Sequence, residues 1–196
     1  MSPAKSTEEA LADCCRKYVN TGRNPPDGMH GRFQSRYPRD PAAKKEKNMA
    51  CNLLKGKKGL IFGALNEHSI AWKVAERAVA EGAEIVLTNT PVSIRMGEIN
   101  ELAEKCHTIV VPADATSVED LENLIDKTME HFGGKFDFIL HSIGMSLNVR
   151  KGRTYDDLDY DYLARTLDIS AISFHKAIQV ARKKDALNEW GSIAAL

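Results

Sequence analysis

Three groups of residues have types and spacing that could serve a nucleotide. Gly63 precedes Ser69 and Ile70 in GALNEHSIA, Asp114 closes an apolar run in PADATS, and Ile143 and Gly144 follow His141 and Ser142 in HSIGM. A glycine turn ahead of a helix N-terminus is an anion site, because unpaired amides and the helix dipole point at whatever occupies the turn. A pyrophosphate fits there. The usual three-glycine fingerprint is absent, however, since residues 64–68 contain no second glycine. On spacing alone, a dinucleotide site and a plain structural α/β turn stand level. Asp114 is equally open: its carboxylate can accept from an adenine amino group or cap the following helix, a task Thr116 or Ser117 could also perform. His141 has the chemistry of a general base, but a histidine at a strand end reads first as hydrogen-bonded structure.

Positioning these groups takes strands that end together. The run 59–62 is short, apolar and bounded by Lys-rich sequence and Gly63, which suits a buried parallel strand. From Ser69 the spacing turns helical, with Ile70, Val74 and Ala78 on one stripe and Ala71, Ala75 and Val79 beside it. Ser69 is expected to cap that helix and Gly82 to end it, and Ile85, Val86 and Leu87 supply a second strand. Residues 58–90 therefore read as βαβ. Beyond Thr90, a polar stretch carrying Arg95 leads to a helix through Ile99 and Leu102 to Lys105, and then to a third strand at 108–111. A helix over 118–132 buries Leu121, Leu124, Ile125 and Met129, ends at Gly133 and Gly134, and leads to a fourth strand at 136–140. Right-handed crossovers order the strands 3-2-1-4 and open a crevice at their carboxyl ends. Gly63, Asp114 and the HSIG segment all emerge there. A long helix is expected within 154–184, with Leu163, Leu167, Ile169, Ile172 and Ile178 as its apolar positions; Tyr155, Tyr160 and Tyr162 lie among acidic residues and read as a solvated loop and helix start.

Lys and Arg number 27, as do Asp and Glu. That balance argues against nucleic acid as the main partner, and the apolar content is that of a soluble globular protein. No run reaches the roughly 18 to 20 apolar residues a membrane helix needs. Cys14, Cys15, Cys51 and Cys106 show neither metal-ligand spacing nor a compact disulfide framework, so reduced thiols in the cytoplasm are expected. Residues 1–48, with NPPDG, RYPRDP and KKEKN, read as a disordered extension apart from a short helix within 7–19. Acidic residues there argue against a transit peptide. Residues 49–196 form the domain, and Met49 reads as a plausible natural start.

GALNEHSIAWKVAE, PADATS, HSIGM and LDISAISFHKAI stand in the order and spacing of the NADH-dependent enoyl-acyl-carrier-protein reductases, the divergent short-chain dehydrogenases that the chain resembles over 51–196. The resemblance implies a Rossmann-type doubly wound parallel sheet, incomplete on its C-terminal side. It further implies pyrophosphate contacts from Gly63, Ser69 and Ile70, an adenosine ribose near Thr90, adenine at Asp114 with a backbone contact from Ala115, and the nicotinamide side at Ile143 and Gly144, where a small residue lets backbone approach closely. Met145 and Ser146 would face the acyl pocket. His141 is not the proton donor of that family. NADH is the implied cofactor and NADPH the alternative, because Thr88, Asn89 and Thr90 put neither an acid nor a base at the end of the second strand.

The implied reaction reduces the trans-2 double bond of an enoyl group on acyl carrier protein in type II fatty-acid synthesis, by a homotetrameric cytoplasmic enzyme. The family's tyrosine pair and lysine would fall beyond Leu196. The chain therefore contains no catalytic residue on this reading, and is expected to be inactive alone, with an exposed strand edge prone to aggregation. Two other readings remain: another short-chain dehydrogenase acting on a carbonyl or alcohol, with a Tyr-x-x-x-Lys pair further on, or a non-catalytic nucleotide-binding module.

Overall fold

In a computed structural model, residues 51–196 are described; the expectations for residues 1–48, including Cys14, Cys15 and the 7–19 helix, and for Met49 lie outside them. The elements alternate as the pattern predicts: β1 (Lys58–Phe62), α1 (Ile70–Ala80), β2 (Glu84–Asn89), α2 (Pro91–Met96), α3 (Ile99–Cys106), β3 (Val110–Pro112), α4 (Val118–Phe132) and β4 (Phe136–His141). Then follow α5 (Leu147–Arg150), a 3-10 turn (Tyr155–Asp157), α6 (Tyr160–Leu167), a π turn (Asp168–Ile172), α7 (Ser173–Lys183) and β5 (Leu187–Ala195). The five strands form one parallel sheet in the order β3-β2-β1-β4-β5.

The central strands β1 and β2 bury both faces because helices cover both sides, whereas β5 at the sheet edge is largely exposed. Leu60 and Phe62 join Val86, Val111, Leu121 and Ile125 in a core beneath α4 and α7. Ile61 points to the other face, where Ile85, Leu87 and Leu140 meet Trp72 and Ala75 of α1 and Leu102 of α3. In β1 the residues Leu60 to Phe62 are sealed from solvent, which explains why its sequence is continuously apolar rather than alternating.

Several local expectations need correction. Ser69 is the first residue before α1, but its hydroxyl makes no cap: it accepts from the Leu65 amide at 3.2 Å and donates to the Asn66 carbonyl at 2.7 Å. That bonding folds the 65–69 loop and leaves the first amides of α1 without a side-chain partner. Ile70 is exposed, and the buried face of α1 is Ala71, Trp72, Ala75 and Ala78. The polar stretch after Thr90 contains α2, capped by Thr90, whose Oγ accepts from the Ser93 amide at 3.3 Å, with Pro91 in the first turn. The long helix expected within 154–184 is present and runs without a gap from α6 through the π segment into α7, with right-handed helical backbone at both junctions, but its buried positions differ from those expected. Its buried positions are Ser173, Ala177, Val180 and Ala181, whereas Leu167 and Ile172 are about half exposed.

Asn89 joins three strand ends. Its Nδ2 donates to the Ala64 carbonyl at 2.9 Å, its Oδ1 accepts from the Thr90 amide at 2.9 Å, and its backbone carbonyl accepts from the Ala113 amide at 3.0 Å. Asn89→Asp keeps the acceptor but sets a carboxylate against the Ala64 carbonyl. A loss of about 1–3 kcal/mol is expected by chemical denaturation at neutral pH, and unchanged stability would show that the clip is dispensable.

Candidate functional site

Parallel pairing brings the carboxyl ends of β1, β2 and β4 level: Phe62 stands beside Thr88 on one side and His141 on the other. The chain leaves β1 through Gly63, whose φ of +89° lies where side-chain-bearing residues are strained. A Cβ on Gly63 would lie 2.0 Å from the Ser142 carbonyl oxygen. The loops after β1 and β4 thus touch backbone to backbone, which only glycine permits here. Between the diverging ends lies a cleft of about 720 Å³, within the range of roughly 300–1,000 Å³ usual for cofactor and small-molecule sites.

Six of the residues expected from sequence line this cleft: Gly63, Thr90, Asp114, Ala115, Ile143 and Gly144. Ser69 and Ile70 do not, because they lie at the start of α1, behind Leu65 of the lining. Ser146 is absent from the lining as well; its Oγ accepts from the Val149 amide at 3.4 Å and caps α5, while neighbouring Met145 does line the cleft. Thr90 reaches it with a hydroxyl already engaged with Ser93 at 2.9 Å. Tyr155, Tyr160 and Tyr162 take no part in the lining.

The contacts of Asp114 rule out its capping reading. The helix cap goes to Ser117, whose hydroxyl accepts from the Asp120 amide at 3.2 Å. Asp114 instead uses Oδ1 to accept from the Thr116 amide at 2.9 Å and the Thr116 hydroxyl at 2.8 Å, and its own amide donates to Asp120 at 2.8 Å. The loop is therefore rigid, and Oδ2 of Asp114 has no hydrogen-bond partner among the described residues. Such an oxygen can accept from an amino group in the cleft.

His141 is sealed between the Phe62 and Phe174 rings, with centroids at 5.6 and 5.4 Å. Its Nε2 is 3.0 Å from the Ser173 hydroxyl. That hydroxyl spends its only proton on the Ile169 carbonyl at 2.6 Å, so Nε2–H must be the donor. Burial holds the imidazole below its ordinary value, and the ring is a neutral structural group rather than a base facing the cleft.

Sequence reasoning missed the wall opposite the glycine turn. Ala164, Arg165, Asp168 and Ile169 line the cleft from α6 and the π turn. Two hydroxyls hold that wall to the loop after β4: Ser170 Oγ accepts from the Met145 amide at 3.1 Å and Thr166 Oγ from the Leu147 amide at 3.3 Å. Arg150 and Arg165 also line the cleft and form no ion pair among the described residues, whereas Asp168 is paired with Lys176 at 2.9 Å. A serine- and threonine-rich helix beside the HSIG loop was the available signal, but helical spacing gives no hint of the π turn that aims these residues.

Sheet order, the glycine turn at Gly63 and a cleft flanked by the cross-bonded acidic loop define an α/β protein of Rossmann type. Residues 63–196 match the family model described as enoyl-(acyl carrier protein) reductase, and the chain belongs to that family. Among its relatives is enoyl-[acyl-carrier-protein] reductase [NADH] 2 of Rhizobium meliloti, 34% identical over 145 residues, or 74% of this chain and 53% of the relative. The crystal structure of a FabI–NADH complex from Alistipes finegoldii is 90% identical with a TM-score of 0.73, covering 74% of this chain and 51% of that one. A reductase from Anaplasma phagocytophilum in complex with NAD is 28% identical with a TM-score of 0.65, covering 72% and 54%. The chain spans about half the length of the relatives it matches.

Gly63→Ala is expected to cost about 1–2 kcal/mol for the backbone conformation alone, and more for the overlap with Ser142. Gly144→Ala should stay within about 0.5 kcal/mol, since no described atom lies within 4 Å of the added carbon. Denaturant midpoints of the two variants, measured in parallel, check this; equal losses would contradict it.

The depressed His141 value also fixes a pH dependence. Between that value and the ordinary 6.5, the unfolded chain binds a proton that the folded chain does not, so stability falls as pH drops through this window and is unaffected above it. His141→Gln keeps a donor towards Ser173 and removes the titration. Thermal melts from pH 7.5 to 5 should show a shallower loss for the variant, by up to about 1.4 kcal/mol per pH unit, and parallel slopes would overturn the assignment.

Proposed function

We propose that the cleft binds NADH and that this chain is the nucleotide-binding part of an enoyl-acyl-carrier-protein reductase, which reduces the trans-2 double bond of an enoyl thioester. The observation that carries the reading is the convergence of Gly63, Asp114 and Gly144 on one cleft at the carboxyl ends of the strands, where β1 separates the two halves of the sheet. The residues fit the group: Asp114 Oδ2 is available to an adenine amino group, Gly63 keeps the turn close, and a Cβ on Gly144 would meet no described protein atom, so only a bound molecule would feel it. The first amides of α1, left without a side-chain cap, would serve the pyrophosphate end through backbone alone, since the side chains of Ser69 and Ile70 stand outside the lining. Thr90 stands at the ribose.

NADH would supply a hydride to the β-carbon of the substrate. The protein's part, in this chain, is to hold and orient: Ile143 and Gly144 support the nicotinamide side, while Met145 approaches the acyl group and Ser146 holds the start of α5 beside it. Acyl carrier protein would present the substrate. The half-exposed Leu167 and Ile172 support assembly with further copies into a homotetramer. Among the described residues no helix is long and apolar enough to cross a membrane.

Calorimetric titration of the chain with NADH tests the reading. Saturable binding is expected, weakened about tenfold by Asp114→Asn, which keeps the Thr116 contacts but can turn a donor towards the adenine amino group. Gly144→Ala should weaken it too, at nearly unchanged stability. A folded chain that binds no NADH would sink the proposal. For the substrate, residues 51–196 would replace the matching part of the Alistipes enzyme; NADH oxidation with an enoyl thioester is expected, and its absence in a chimera that still binds NADH would refute the reductase role.

A further inference from the structure

The adenine end of the cleft is made of two segments far apart in sequence, the loop Asp114 to Thr116 after β3 and the π turn that carries Asp168 and Ile169. One side chain joins them. Lys176, on α7, donates through Nζ to the Thr116 carbonyl at 2.8 Å and to Asp168 Oδ1 at 2.9 Å. Thr116 is thereby held from both sides, since its amide and hydroxyl are already given to Asp114 Oδ1. The ammonium neutralises Asp168, leaving Asp114 as the lining carboxylate without an ion-pair partner among the described residues. Charged hydrogen bonds of this kind are the stronger ones, and a side chain about three-quarters buried is shielded from competition by water.

We propose that Lys176 is a positioning residue of the nucleotide cleft: by fixing the Thr116 carbonyl against the Asp168 carboxylate, it sets where the Asp114 acceptor stands and so governs recognition of the nucleotide's base. This rests on the reading that the cleft binds NADH. Lys176 need touch no ligand. Without the bridge, the loop after β3 and the π turn move independently, and the Asp114 carboxylate loses its fixed aim at the exocyclic amino group that separates adenine from hypoxanthine.

The experiment compares binding of NADH and of its hypoxanthine analogue, in which that amino group is replaced by oxygen, to the whole chain and to Lys176→Met, Lys176→Arg and Asp168→Asn. The unsubstituted chain is expected to favour NADH by about tenfold, the worth of one hydrogen bond to a charged acceptor. Lys176→Met should bind NADH about tenfold more weakly and the analogue almost unchanged, so that the preference collapses. Lys176→Arg should retain it, and Asp168→Asn should lose part of it. A merely structural lysine would weaken both ligands equally, and that result would overturn the inference. So would an unsubstituted chain that binds both nucleotides alike. If the unsubstituted chain binds neither, the dinucleotide reading itself fails and this inference falls with it. Thermal midpoints of each variant separate loss of aim from loss of fold.

Discussion

The cleft exists because two backbones meet. Gly63 brings the loop after β1 so close to the Ser142 carbonyl that no side chain could stand between them, and this contact pins the exits of two adjacent parallel strands. Every later element is placed relative to that point. Asn89 carries the constraint sideways to the ends of β2 and β3, and Phe62, whose ring lies against His141, carries it down into the core. A sheet whose central strand must end on glycine is rigid at the place where a ligand needs a defined floor.

Opposite that floor, the helical wall is held by small polar groups rather than by apolar contact. Thr166, Ser170 and Ser173 each bond the segment from His141 to Leu147, and each hydroxyl stands on the inner side of α6, the π turn or the start of α7. Individually such bonds contribute on the order of 1 kcal/mol. Together they tie an otherwise loose loop at three points, with one extra residue per turn in the π segment bringing Ser170 and Ser173 into line.

Much of this was legible in the residues. The helix over Val118–Phe132 follows from apolar spacing, because burial on one face of a helix leaves a clear period, and the order of the first four strands follows from right-handed crossovers. His141 was legible as structure rather than chemistry. The convergence of Gly63, Asp114 and Gly144 was legible from topology, since loops at one end of a parallel sheet must meet. What spacing hides is local hydrogen bonding that competes with the regular pattern: Ser69 turns back into its own loop instead of capping α1, Thr90 starts a six-residue helix within a polar stretch, and a π segment widens the long helix over Asp168–Ile172. Ile70 shows the same limit from another side, being apolar, on the expected stripe, and exposed. Lys176 could not be singled out at all, as its two partners lie 60 and 8 residues away.

The two tryptophans stand in opposite surroundings. Trp72 is 6% exposed and packed within the core between α1 and the sheet, while Trp190 is 95% exposed in β5, where the pairing with β4 skips from Leu187 to Ser192. Their light emission therefore divides by origin: the surface indole already emits as it would in water, and only the inner one changes colour when the chain comes apart. An optical melt of this protein is, in effect, a recording of a single helix leaving its sheet.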